Sequence, residues 1–344
     1  MQKINFARGT ILLVGFFLVL SLVTLVPETE ANDFFEGKTI TFIASSSPGG
    51  GTDALVRLIS RHFSKHIPGN PKIIVKNMPG AGGLRAANYL WDRAKPDGLT
   101  MSSMNSGLIF RVATHDKGVD FKLDQFTWLG QLASEGQVIY FRSDTPYTSF
   151  EAIKKAKRKP KAGSKSKNHS ASVTLKVIEE MFPGVEFNMV YAYPGTAELQ
   201  LDIERGALDG RSHSIGSFLT TNKNWAENGF VKMLAVSTPK RDPRLPDVPT
   251  LAELAPKNKR NANLLDALYA IQGRWYAMPP KVPAERAKTL RDAFFAMLQD
   301  EAFVKDGERM GWNIDPLDGK DLQQKVKNLV ADEDTLGVFR KILK

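Results

Sequence analysis

Three consecutive glycines, Gly49-Gly50-Gly51, stand between the strand-like run that ends at Ser45-Ser46-Ser47 and an amphipathic run from Ala54 to Ile67, with Pro48 before them and Thr52-Asp53 behind. Glycines here let backbone approach a guest closely, and the first amides of the following helix point outward with Thr52 or Asp53 as cap. That arrangement suits a small anion; a tight strand-to-helix turn without a guest fits the same residues. The pattern argues against a nucleotide-phosphate loop, because GxxxxGK[ST] needs its lysine and hydroxyl directly after the second glycine, whereas Thr52-Asp53 follow here and Gly37-Lys38-Thr39 lacks the upstream glycine. The run GAGGLRAA, beginning at Gly80, holds only a fragment of a dinucleotide pattern.

One such turn is too weak to hold a ligand. A helix terminus contributes about 0.3–1 kcal/mol, up to ~2 when partly buried, while micromolar binding needs roughly 8 kcal/mol. Other strand-to-helix loops must therefore converge with it, and Gly80 to Gly83, Ser106-Gly107, Asn168 to Ser172 and Gly195-Thr196 are the candidates. Catalytic groupings are thin. The five histidines (His62, His66, His115, His169, His213) form no HExxH motif, and His62 and His66 share a helix face at i, i+4 without an acid at metal-ligand spacing. GxSxG is absent, and with no cysteine only Ser, Thr or Lys is available as a nucleophile. No catalytic residue, metal ligand or cofactor is expected.

The elements that must position these loops alternate. KTITFIAS, PKIIVKN and LTMSSMN read as strands, each followed by a glycine-containing loop and a helical pattern, and a second series begins at QVIYFRSD and runs on to VKMLAVSTPKR. Repeated strand and helix units imply mostly parallel sheets covered by helices, and two series imply two lobes whose ligand loops meet at the carboxyl ends of the strands. The segment Lys154 to Lys167, with eight basic residues and no acid, reads as a solvated helix end and loop. DALYAIQGRWYAMPP reads as a strand, followed by helices near Ala284 to Gln299 and Lys320 to Val330.

At the amino end, Lys3 and Arg8 precede a charge-free apolar run from Ile11 to Val26, then Pro27 and Thr29-Glu30-Ala31, the pattern of a secretory signal cut near Ala31. Sixteen residues fall short of the roughly 20 that span a bilayer. The signal's charges cancel, so the exported chain keeps the net +10 of the whole. Without cysteine, neither a disulfide framework nor a lipid-modified cysteine is possible. A basic periplasmic protein with no nucleic-acid motif favours small anions, or an anionic membrane face, over nucleic acid.

At SPGGGTDALVRLIS, VKNMPGAGG, AKPDG, YPGTAELQLDIERGALDG and LAVSTPKRDPRLPDVPTLAEL, in this order, the chain resembles the extracytoplasmic substrate-binding proteins of tripartite tricarboxylate transporters, the Bug family. The resemblance spans roughly Phe35 to Lys344. It implies a two-lobed α/β periplasmic binding fold, with residues 32–133 and 269–344 as the first lobe and 134–268 as the second. The crossings fall near Leu132 to Gln137 and Leu268 to Trp275. It also implies a small organic carboxylate, held partly through ordered water, and delivery to membrane permease subunits. By that resemblance Pro48, Gly49, Gly50, Gly51, Thr52 and Asp53 are the first ligand loop, with Ser46 just before it, and Ser106 lies in the third-strand loop. Asn168, Ser170 and Ser172 stand where flexible glycines and a serine are expected, and Tyr193-Pro194-Gly195-Thr196 matches the second-lobe turn without its lysine, making Gly195 and Thr196 candidates. Where an apolar strand ending in an acid-amide pair is expected, this chain has Gly210-Arg211-Ser212-His213-Ser214; where an aromatic is common, it has Ser45-Ser46-Ser47. Arg211, His213 and Ser214 thereby join the candidate set, and the cleft should be richer in hydroxyls and positive charge, suited to a hydroxylated di- or tricarboxylate. A sensory adaptor that docks a membrane receptor, and a periplasmic hydrolase using serine or histidine, are the alternative readings.

Overall fold

A computed structural model describes residues 34–343. The signal segment 1–31 and its cleavage site near Ala31 lie outside the described residues. Strand β1 (Thr39–Ala44) is β-branched and buried along most of its length, and the glycine turn leads into helix α1 (Gly51–Phe63), whose Leu55, Leu58, Ile59 and Phe63 face the core while Arg57 and Arg61 face water. The unit repeats through β2 (Lys72–Asn77), α2 (Leu84–Asp92), β3 (Thr100–Asn105), α3 (Leu108–Ala113) and β4 (Thr127–Gln131). The second series is β5 (Gln137–Arg142), α4 (Phe150–Lys155), β6 (Lys161–Gly163), α5 (Ser170–Met181), β7 (Asn188–Val190), α6 (Thr196–Glu204), β8 (Gly210–Ser214), α7 (Ile215–Glu227) and β9 (Val231–Val236). Helices α8 (Leu251–Leu254) and α9 (Lys259–Ala270) then lead to β10 (Arg274–Met278), α10 (Ala284–Gln299), α11 (Glu301–Arg309), β11 (Leu317–Asp318), α12 (Gly319–Ala331) and α13 (Glu333–Leu343).

Two sheets result, ordered β11-β4-β10-β3-β1-β2 and β7-β6-β8-β5-β9. β1 is parallel to β2 and β3, with Thr39 opposite Lys72, and β6 is parallel to β7 and β8. The strand that enters each sheet from the other runs against its neighbours: β10 between β3 and β4, and β5 between β8 and β9. The molecule is thus a two-lobed α/β protein. At the crossing the two connecting segments lie side by side, the Leu132 amide donating to the Arg274 carbonyl at 2.9 Å and the Arg274 amide to that of Ala133 at 2.9 Å. Helix α13 packs on both α3 and α5, with Phe339 edge-on against Phe110 at 4.5 Å, so apolar contact continues from one lobe to the other behind the cleft.

The reading of DALYAIQGRWYAMPP as a strand needs correction. Helix α9 runs to Ala270 and only Arg274–Met278 is a strand, because Leu264, Leu265 and Leu268 recur at helical spacing and Gly273 separates the two elements. None of the described helices is long and apolar enough to cross a membrane.

Candidate functional site

Four helices of eight or more residues start at the same place. Thr52 in the first turn of α1, Ser170 of α5, Thr196 of α6, and Ser214 with Ser217 at the start of α7 line one cavity between the lobes. It holds about 530 Å³ of atom-free space continuous with solvent and adjoins a second of about 390 Å³ lined by Ser45, Ser103 and Tyr276. The first turns of α1 and α6 have no side-chain cap, since Gly50 and Gly195 are their cap residues. Uncapped amides and the positive end of the helix dipole face any guest there.

Side-chain charge adds to this field. Lys165, Arg211 and Arg274 reach the cavity, and Glu135 is its acid. Glu135 is already engaged: it lies 3.4 Å from Arg274 Nε and 3.5 Å from Arg244 Nη1 and accepts the Gly216 amide. Arg274 also donates to Ser214 and Ser217 and stacks over Trp312 at 4.9 Å. Arg211 is 2 % exposed; its Nε donates to the Ser212 carbonyl at 3.0 Å, while its buried Nη1 has no hydrogen-bond partner and it makes no ion pair among the described residues. Burial lowers the proton affinity of Arg211, although a guanidinium stays charged at neutral pH. Both ring nitrogens of His213 are likewise buried without partners. Burial, then the surrounding cations, hold His169 and His213 far below the usual imidazole range, so both are neutral. A buried, unpaired guanidinium beside neutral imidazoles and helix amino ends has the charge and donors that suit an anion.

The candidate residues divide. Thr52, Ser106, Ser170, Thr196, Arg211, His213 and Ser214 line the cavity. The others do not. Pro48 and Gly49 are exposed at the outer edge of the loop, and the Gly49 amide is spent on the Asp53 carboxylate at 3.0 Å. Asp53 turns away from the cavity to accept from Arg57 Nε at 3.1 Å and Asn77 Nδ2 at 2.8 Å; these bonds outweigh the upward push of burial and hold its carboxyl below the usual range. It organises the loop rather than touching a guest. Gly50 and Gly51 pack against Thr196 and Ser217, and Gly195 against Ser47, so these glycines are where the lobes meet; a Cβ on Gly51 would overlap the Ser217 backbone and side chain. Ser46 is buried and donates to the Ser47 carbonyl at 3.3 Å. Ser172 donates to the Ser166 carbonyl at 2.6 Å and accepts from the Ser164 hydroxyl at 2.6 Å, inside its own loop. Asn168 faces outward, 3.3 Å from Asp116, in a hollow shared with His115 and Arg340.

Sequence reasoning missed Lys165, Asn105, Glu135, Ser217 and Arg274, while His169 lies inside the expected loop from Asn168 to Ser172. Arg274 and Glu135 sit in the crossing segments, which a search confined to strand-to-helix loops passes over. Lys165 lay hidden in a run read as solvated. Neither histidine of the cavity bonds a hydroxyl: His169 accepts from the Ala171 amide at 3.2 Å and lies 3.1 Å from the Asn105 amide nitrogen, and His213 has no partner, so neither histidine is paired with a nucleophile.

Over residues 55–337 the chain matches the family described as tripartite tricarboxylate transporter family receptor, TctC. A relative from Pseudomonas sp. (strain P51), the UPF0065 protein in the tcbD-tcbE intergenic region, is 27% identical over 246 residues, 69% of each chain. Among solved structures, the periplasmic binding protein BugD superposes with a TM-score of 0.73 at 23% identity, covering 89% of this chain and 97% of its own. MatC from Rhodopseudomonas palustris with bound malate superposes with a TM-score of 0.72 at 20% identity, covering 89% and 99%. The chain belongs to the tripartite tricarboxylate transporter receptor family, the Bug-type solute-binding proteins, and is a binding protein rather than an enzyme.

Proposed function

We propose that this protein is an exported periplasmic receptor that closes over a small organic anion carrying at least two ionised carboxylates and passes it to the membrane subunits of a tripartite tricarboxylate-type transporter. Residues 32–133 and 269–344 form one lobe and 134–268 the other, hinged at 132–137 and 268–275. The observation that carries the reading is Arg211: a buried guanidinium with an unpartnered Nη1, aimed into a cavity ringed by helix amino ends. One carboxylate takes Arg211 through two parallel hydrogen bonds. A hydroxyl on the ligand suits the neutral nitrogens of His213, and Thr52, Ser170 and Thr196 offer hydroxyls to the remaining oxygens. The malate held by MatC belongs to this chemical class.

Titration calorimetry of the exported chain with malate, adipate and citrate tests it. At least one should bind with micromolar or better affinity and raise the melting temperature by mass action. Absence of binding and of any thermal shift with all three contradicts the reading.

A further inference from the structure

Lys165 sits in the loop between β6 and α5, within the basic run Lys154 to Lys167, yet it is only 8% exposed and its side chain enters the cavity. It forms no ion pair or hydrogen bond with a carboxylate among the described residues. The two charged groups that act on it most are of its own sign: Arg211 from β8 and Arg274 from β10. His169, which caps α5, and His213 of β8 are neutral neighbours. Glu198 of α6 is the acid whose field reaches it, but that carboxylate accepts the Ser47 hydroxyl at 3.0 Å; Glu135 is held by Arg274 and Arg244. The cavity therefore presents a lysine that no carboxylate among the described residues pairs with.

Resting on the reading above, we propose that Lys165 determines specificity by binding one proton as the second anionic group of the ligand docks beside it and Arg274, so that the receptor registers ligand charge as well as shape. One carboxylate on Arg211 leaves the Lys165 side of the cavity unfilled. A second, placed there, supplies the counter-charge the lysine lacks, and the proton comes from solvent as the lobes close. Burial, followed by Arg211 and Arg274, pulls Lys165 down to about 7 in the empty cleft, so above that pH it is mostly neutral before the ligand arrives. An anion beside it favours the ammonium form, and linkage then ties affinity to pH.

The test is calorimetry of the exported chain with malate and with adipate, both fully ionised at pH 8, in two buffers of different ionisation enthalpy. Wild type should take up about 0.9 proton per ligand at pH 8, and its affinity should fall about tenfold per pH unit above that. Lys165→Met should bind more weakly at pH 6, take up no proton and show a flat pH profile. Lys165→Arg, permanently charged, should restore affinity without proton uptake. Binding by wild type without proton uptake, or uptake that persists in Lys165→Met, overturns the inference and leaves the receptor reading standing. Absence of binding by either acid, with no thermal shift, overturns the receptor reading and this inference with it.

Discussion

The two walls of the cleft differ in what they offer a guest. The first-lobe wall is mostly hydroxyl: Ser45, Ser103, Thr52 and Ser106 present hydroxyls beside a single guanidinium, Arg274 of β10, and Ser45 and Ser103 are bonded to each other at 3.0 Å. The second-lobe wall carries Lys165, Arg211, His169 and His213, two cations and two imidazoles. Most of the positive charge thus lies on one wall, while the other supplies hydroxyls, Arg274 and the glycines at which the lobes meet. The two walls are held together at the seam, where Gly50 and Gly51 touch Thr196 and Ser217.

Removing the charged wall has the largest expected effect. Arg211→Ala leaves a ligand carboxylate buried opposite no cation, and truncating one partner of such a pair costs about 2–5 kcal/mol, a fall of about thirtyfold or more in affinity for the tightest-binding acid by calorimetry. Unchanged affinity would remove Arg211 from the site. Obstructing the seam comes next. Gly51→Ala puts a methyl against Ser217, and because alanine is well tolerated in a first helical turn the open protein should fold normally, while affinity drops by about 1–3 kcal/mol. Small-angle scattering with ligand should show the variant more open than wild type; equal closure would contradict the division between the two walls.

Smaller effects concern stability without ligand. A lysine whose affinity for protons is lower in the folded protein than in the unfolded chain costs stability while protonated. Its contribution therefore becomes less unfavourable as pH rises from about 7 toward 10.5. Lys165→Met should raise the melting temperature of the empty protein by a few degrees at pH 6 and by less at pH 9, read by calorimetric scans. Asp53 acts in the opposite sense: its carboxyl is depressed, so its stabilising contribution is present above the ordinary carboxylate range and is lost as pH falls through its lowered value. Asp53→Ala should cost about 1–2 kcal/mol at pH 7, with the difference from wild type shrinking in acid.

How far the sequence revealed this depends on the kind of signal. Helices α10 and α12 and the strands around the glycine turn follow from apolar periodicity, because burial on one face sets their spacing. Thr52, Ser106, Ser170 and Thr196 reach the cavity because strand-to-helix loops of this architecture point there. The glycines and Asp53 belong to the expected loop but serve it differently, because sequence shows that backbone must come close to something, not whether that something is a ligand or the opposite lobe. Lys165 was invisible for a different reason. Its neighbours Lys161 and Lys167 are more exposed, and nothing in a run of lysines marks the one that a loop turns inward against Arg211 and Arg274. Ser172, in the first turn of α5, faces its own loop because the helix phase there carries its hydroxyl back to Ser164.

A crystal structure of residues 32–344 with the tightest-binding acid tests the central claim most directly. One carboxylate should pair with Arg211 on the second-lobe wall, and another should lie within hydrogen-bond distance of Lys165. A ligand seated against Ser45 and Ser103 alone, with no oxygen near Arg211, would contradict that claim.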